Sequence, residues 1–436
     1  MGTELESSCR ELLAMIPGCA ERSAELGRAA EYFGLSQAEI ERAARLLPEH
    51  FELGYEGVRS LLAEYVHEAL DAFAQPSGRY CELSVPAPPV QAMALGLAAG
   101  ERVRFGTRAL ALQVLLRGLL LSRKPLSFDG CSKRRCGLNL MRRRLVLEPP
   151  VKAPDCVLQY GLLCDECTKT CEGLGGGTKV LSMTVQKGAA RAGRERFRSL
   201  SAGFEHFARE AAGMLDMPAP DAGQIREAAR MSAEQLGALT RLTELNARPG
   251  RRPLRGTSLA LAQTTQLMCF SRLERVTEAL RTLCRELEAA PESEPGRTRL
   301  YCFYPPLTLP ELDLGFWSNG VDLLGSAAFL YSAGSLGTGL GGLSASWLGA
   351  MTLAGPTSGL CGAIARAAER SGCAAYLSGG FSFDRWMGSA TPLQRRILEH
   401  DYGLKTLDLD YDFWCENQSS AWAAERVDSL CVQLHR

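Results

Sequence analysis

Cys164, Cys167 and Cys171 follow one another in a C-x2-C-x3-C spacing, directly after the apolar run Val157 to Leu163. Some thirty residues upstream lies a second pair, Cys131 and Cys136, in Gly130-Cys-Ser-Lys133-Arg134-Arg135-Cys-Gly137. The apolar run reads as a short buried strand. Thiols placed just past a strand end point into the crevice where open α/β sheets bind ligands. Lys133, Arg134, Arg135 and Lys169 favour the thiolate, the form that binds metal. Ligation by sulfur alone suits Zn2+ or an iron–sulfur cluster. Three readings stay open on these residues: an iron–sulfur site, which the spacing favours, a structural zinc, and free thiols in a reduced protein.

The elements that must position these thiols sit in a chain of 436 residues, 46% of them hydrophobic, which is enough for two or three domains with a large core. Charge balances at 49 basic against 49 acidic residues. That balance removes an electrostatic case for nucleic acid as the main partner. Sixteen cysteines are too sparse for a disulfide scaffold. The acidic, polar opening Met1-Gly-Thr-Glu-Leu-Glu lacks a secretory pattern, so reduced thiols in a cytoplasm are expected. No charged residue occurs between Asp322 and Arg366, a stretch long enough to span a bilayer. Gly334, Gly337, Gly339, Gly341, Gly342, Gly355 and Pro356 interrupt it. It therefore reads as a buried, Gly-rich loop-and-helix region facing a ligand or a partner chain, with no membrane span. Its glycines do not form a dinucleotide-binding turn.

Helical periodicity covers residues 11–33, 36–47 and 57–73, with Ser36 and Glu39 as a capping box. The Glu/Arg faces of these helices read as solvated surface. Strands are expected at 80–85, 157–163 and 180–185, and helices at 109–121, 194–215 and 223–246. A single helix from Ser258 to Glu288 is expected to lead to a second strand–helix alternation, with strands at 299–304, 374–377 and 406–409. Alternation in both halves predicts an α/β fold with two parallel sheets. The division expected is an N-terminal helical segment (1–78), a first α/β domain with the cysteine loops (79–250), a bridge (251–297) and a second α/β domain (298–436).

Several short motifs occur in a telling order. A Pro-rich strand end enters an Ala/Met helix at Val85-Pro-Ala-Pro-Pro-Val-Gln-Ala-Met93, and a first cysteine loop follows. Then come a strand with Cys164-Asp165 and Lys169, a long helix with Asn246 and Arg248, and Arg299-Leu-Tyr opening the second half. Leu407-Asp-Leu-Asp410 and Glu425-Arg-Val-Asp428 close the chain. Over roughly residues 80–436 this order resembles the catalytic subunits of the 2-hydroxyacyl-CoA dehydratase and benzoyl-CoA reductase family. The resemblance implies two flavodoxin-like or Rossmann-like domains around a [4Fe-4S] cluster. It implies a second related subunit and a separate ATP-hydrolysing iron–sulfur activator that delivers one electron. The substrate implied is an acyl-CoA thioester, dehydrated or reduced through a ketyl radical anion.

Carried over by position, Cys131 or Cys136 is the first cluster ligand and Cys164 the second. Phe383 stands where the third cysteine is expected, and Pro88-Pro89-Val90 occupies the place of an expected glutamate. Two ligand sets repair the gap. Cys131, Cys136, Cys164 and Cys167 all come from the first half and close smaller loops. Alternatively Cys415, past the last strand, reaches the crevice. Cys302, Cys361 and Cys373 read as small buried apolar residues. Lys133, Arg134, Arg135, Arg142 and Arg385 are candidate contacts for the phosphates of CoA. A non-catalytic cluster subunit, acting as electron relay or scaffold, is the competing function, favoured by Phe383. A zinc-stabilised protein without redox role is the third.

Overall fold

In a computed structural model the chain is described at residues 2–74, 78–124, 136–162, 165–174, 177–185, 191, 193–248, 254–268, 270–290, 296–303, 307–331, 337–379, 385–409 and 420–434. The N-terminal layer holds α1 (Gly2–Ala14), α2 (Ser23–Tyr32), α3 (Gln37–His50) and α4 (Glu56–Leu70). The first strand–helix unit follows as β1 (Arg79–Leu83), α5 (Pro89–Ala99), β2 (Val103–Gly106) and α6 (Arg108–Gln113), the last continuing as a π-helical turn, Val114–Leu119. It continues through α7 (Gly137–Leu147), β3 (Cys156–Gly161), α8 (Asp165–Glu172), β4 (Lys179–Thr184) and α9 (Arg194–Met214). Three helices, α10 (Ala222–Ala247), α11 (Gly256–Thr264) and α12 (Leu273–Ala289), lead to the second unit. That unit runs β5 (Thr298–Cys302), α13 (Pro310–Ser318), β6 (Val321–Ser326), α14 (Gly339–Ala350), α15 (Thr357–Arg370), β7 (Ala375–Gly379), α16 (Arg385–Tyr402), β8 (Lys405–Leu409) and α17 (Ser420–Leu434).

Two four-stranded parallel sheets result, in the orders β2-β1-β3-β4 and β6-β5-β7-β8. The two orders are the same, and the reversal beside the first strand of each makes a crevice at its C-terminal edge. The strands read as expected because β3 is buried along its whole length, which demands a continuous apolar run. Two strands escape the sequence pattern. The four residues of β2 are too short to show a period. In β6, Asp322 is a charge inside a fully buried strand, and Arg297 pairs with it at 2.7 Å.

Other expectations need correction. The helix expected over 11–33 breaks at Pro17-Gly18, where Gly18 adopts φ 69°. The helix expected over 258–288 is two helices. Thr264 and Thr265 turn their hydroxyls back onto the carbonyls of Ala260 (2.8 Å) and Ala262 (2.6 Å), and the chain tightens into a 3-10 turn there. The polar face of α4 is not solvated. Glu68 is buried and accepts from the Thr107 N–H (2.6 Å) and hydroxyl (2.8 Å), which fastens the helical layer to the end of β2. Glu64, also buried, faces Arg272 at 3.6 Å. The capping box of Ser36 and Glu39 forms as read.

The uncharged region around Gly339 also finds its partner within the chain. Helix α14 lies across α9, and Leu340, Ala345 and Leu348 enter the apolar core of the first sheet. A Cβ on Gly341 would overlap the Ser201 carbonyl oxygen, so glycine lets two backbones touch. The helix carries no charge of its own, and its ends are met from the first half. Glu205 Oε2 accepts from the Gly341 N–H at 2.9 Å, and Arg191 Nε donates to the Gly349 carbonyl at 2.7 Å. An anion at the N-terminus and a cation at the C-terminus match the helix dipole. The expectation that this region faces a ligand or partner chain is thus corrected for α14. Among the described residues no helix is long and apolar enough to cross a membrane.

Candidate functional site

The C-terminal edge of the first sheet carries a buried polar cluster built by β1, β3, α7 and α8. Gly161 ends β3, and a Cβ there would meet Thr168 Oγ1 at 2.6 Å, so glycine admits α8 against the strand. Gln159, wholly buried, accepts from Ser84 Oγ at 2.6 Å and donates to Thr168 Oγ1 at 2.9 Å. Ser84 Oγ in turn accepts from the Tyr160 N–H at 2.9 Å. This network fixes the start of α8, and with it Cys167.

Cys167 and Cys171 are four residues apart on α8, one helical turn, and both are buried. Arg142, on α7, is 1% exposed, and its Nη1 donates to Cys167 Sγ at 2.9 Å and to Asn139 Oδ1 at 2.6 Å. The Cys171 thiol also bonds to Cys167. Together with the Arg142 cation this lowers the Cys167 thiol to about 6, although burial opposes it. Cys171 moves the other way, far above the ordinary thiol range, through its bond to Cys167 and through burial. Of the pair, Cys167 holds the charge and Cys171 the proton. Burial disfavours the Arg142 cation, but Cys167, Cys171, Glu82 and Cys136 surround it and keep it charged. Cys136, half-buried, is the residue just before α7.

Arg142 corrects one expectation. The basic run makes it a candidate contact for CoA phosphates, yet it is enclosed and committed to sulfur, out of reach of a solvent-borne anion. It is also the functional residue that sequence reasoning missed as a partner of the thiols. It lies six residues past Cys136, in a run of three arginines on α7 that does not by itself say which member faces the thiols. Arg144 stacks on the rings of Tyr32 and Phe33.

Behind Arg142 lies Glu82, 1% exposed, on β1. Its carboxylate accepts from Tyr80 Oη at 2.5 Å and from the N–H groups of Arg108 (3.1 Å) and Ala109 (3.0 Å), at the start of α6. Burial raises its acid to about 7 from 4.5, against the pull of Tyr80, Ala109, Arg142 and Arg108. The folded state therefore binds this proton more tightly than the unfolded one. Its contribution is full below 4.5, falls as pH rises from 4.5 to 7, and is flat above 7. The span corresponds to about 3 kcal/mol. Glu82→Gln is expected to remove that slope, read as the difference between wild-type and variant urea midpoints from pH 4.5 to 8. Parallel curves would show that Glu82 is ionised throughout.

The structure brings Cys167 into a hydrogen bond with Arg142, and Cys136 lies within that cation's electrostatic reach. Cys131, Cys164, Cys415, Lys133, Arg134, Arg135 and Phe383 lie outside the described residues, so their placement does not enter. Arg385 is the first residue of α16, and its side chain also lies outside the described part. Among the described residues no group of three or more His, Cys, Asp or Glu side chains is disposed to hold a metal. Those present do fit thiolate chemistry, because Cys167 is held as an anion beside a cation. Cys302 and Cys361 are buried as read, whereas Cys373 is half-buried, and burial raises all three thiols above the ordinary range.

Comparison with curated proteins finds none that matches the chain at a significant level. A protein-family model does match: 2-hydroxyglutaryl-CoA dehydratase, D-component, over residues 117–430, which include Cys136, Arg142, Cys167 and Cys171 of the cysteine edge and all four strands of the second sheet. With well over half its length in that match, the chain belongs to the 2-hydroxyglutaryl-CoA dehydratase D-component family.

Proposed function

We propose that this chain is the iron–sulfur subunit of a 2-hydroxyacyl-CoA dehydratase-like enzyme, acting on an acyl-CoA by single-electron dehydration or reduction. The observation that carries the reading is the Cys167 sulfur, buried at the edge of a parallel sheet, with Arg142 Nη1 donating to it at 2.9 Å and Cys171 one turn further along α8. Cys131, Cys136, Cys164 and Cys167 would hold a [4Fe-4S] cluster, with Cys415 as the alternative outside the first half. Such a cluster supplies single electrons when bound. The chain's own residues keep one ligand sulfur deprotonated, donate an N–H to it and exclude water from it, and each of these raises or lowers a cluster potential. Lys133, Arg134, Arg135 and Arg385 remain the proposed CoA phosphate contacts. A related second subunit and an ATP-dependent activator complete the assembly, in a cytoplasm.

Anaerobic purification followed by iron and sulfide counts tests the reading. About four irons per chain are expected, and Cys164→Ser is expected to lose most of the iron and the visible absorbance. A colourless protein carrying zinc instead would overturn it. Phe383, in place of a cysteine, supports a second reading: a cluster subunit that relays electrons without substrate chemistry. Turnover of a 2-hydroxyacyl-CoA or aromatic acyl-CoA with activator, ATP and partner subunit separates the two.

A further inference from the structure

A cleft of about 550 Å3 opens between α10, the end of α11, β5 and α15, and it shares no residue with the cysteine edge. Its volume lies in the range of small-molecule sites. Leu236 and Leu239 of α10, Tyr301 of β5, and Phe329 and Leu330 past β6 give it an apolar floor. Leu236 is 42% exposed, a large apolar side chain left partly open at the cleft. Gln263 lines the cleft, is 4% exposed, and its Oε1 has no hydrogen-bond partner among the described residues. A buried carbonyl left without a donor is unfavourable, and a ligand N–H or O–H would satisfy it. Arg248 and Arg370 stand at the rim, both exposed and without an ion-pair partner among the described residues. The one rim carboxylate, Glu244, lies 3.9 Å from Arg241.

We propose that this cleft binds a small organic anion with an apolar body, an amide or hydroxyl donor along it, and a carboxylate or phosphate at one end. The body lies on the leucine and aromatic floor, the donor meets Gln263 Oε1, and the charged end meets Arg248 and Arg370. The division of labour follows from where each group sits: apolar surface at the bottom, one acceptor in the wall, two guanidinium groups at the mouth.

N-decanoylglycine carries all three features, and 1-anilinonaphthalene-8-sulfonate, with its N–H, ring body and sulfonate, is a fluorescent reporter for the same site. The full-length protein is expected to bind the fluorophore at one saturable site and to release it to N-decanoylglycine. Thr240→Trp places a ring in the cleft from the exposed side of α10 and is expected to abolish both, with an unchanged melting temperature as the control for folding. Arg370→Ala is expected to weaken N-decanoylglycine about tenfold and leave neutral N-decanoylglycinamide unchanged, the loss of one charge-assisted contact. Equal binding to wild type and Thr240→Trp, equal weakening of both acyl ligands, or no saturable binding would each overturn the assignment.

Discussion

Arg142→Met is expected to lower the stability of the folded protein by about 3–5 kcal/mol, the cost of removing one partner from a buried, charge-paired site. The side chain is enclosed, and it serves Cys167 and Asn139 from the same nitrogen while Glu82 and Cys136 lie in its field. Methionine preserves much of the volume but leaves an anionic sulfur and a buried carboxylate without their common cation. Both are then driven toward their protonated forms. Lysine keeps the charge but not the guanidinium that reaches two acceptors, so Arg142→Lys should recover part of the loss. The double variant Arg142→Met/Cys167→Ser assigns the effect: if the cation acts mainly through the sulfur, the two single losses will not add. Urea unfolding of the four proteins checks this. A midpoint for Arg142→Met equal to that of wild type would show that the cation is dispensable. If the chain holds the proposed cluster, the same variant is expected to retain less iron, a second reading of the same contact.

What the chain discloses before folding follows from the kind of interaction involved. The fully buried β3 announces itself as an unbroken apolar run, and α3 announces itself through the Ser36–Glu39 capping box, because both signals are local. Asp313 is a contrary case. It accepts from the Gly256 and Thr257 N–H groups at 3.0 and 2.7 Å and so caps a helix that begins 57 residues before it. No window of sequence contains both partners. Glu68 on Thr107 and Glu205 on Gly341 are of the same kind, and each turned a residue that reads as surface charge into a structural anchor. At the candidate site the same distinction holds. The cysteine spacing is local and legible, whereas the guanidinium that donates to the Cys167 sulfur comes from another helix, 25 residues away in the chain. Periodicity supplied the overall order of elements, but the basic run on α7 reads as phosphate contacts, since a run of arginines on a helix cannot disclose which of its members faces inward.

Gly341→Val is expected to detach α14 from α9 and with it the seam between the two strand–helix units. Wild-type glycine lets the backbone of α14 rest on the Ser201 carbonyl, with Glu205 N at 3.1 Å from where a Cβ would stand. The atoms in the way belong to main chain within a long helix, so they cannot rotate aside as a side chain would. Overpacking usually costs about 1–3 kcal/mol, and a clash with fixed backbone belongs at or above the upper end. Separation also takes the Gly341 N–H from Glu205 and draws Leu340, Ala345 and Leu348 out of the first sheet's core. Alanine still places a Cβ against Ser201, so Gly341→Ala should be destabilised in the same sense and by less. Gly237→Ala makes the opposing control. That glycine lies exposed in the middle of α10 with nothing within 4 Å of a built Cβ, so alanine should raise stability by about 0.5–1 kcal/mol through helix propensity alone. Thermal melts should therefore rank Gly237→Ala above wild type, then Gly341→Ala, then Gly341→Val. Limited proteolysis of Gly341→Val should cut first near residues 337–351. A Gly341→Val protein that melts with wild type and resists cleavage there would mean that α14 does not lie on α9, and the uncharged stretch would again need a partner from outside the chain.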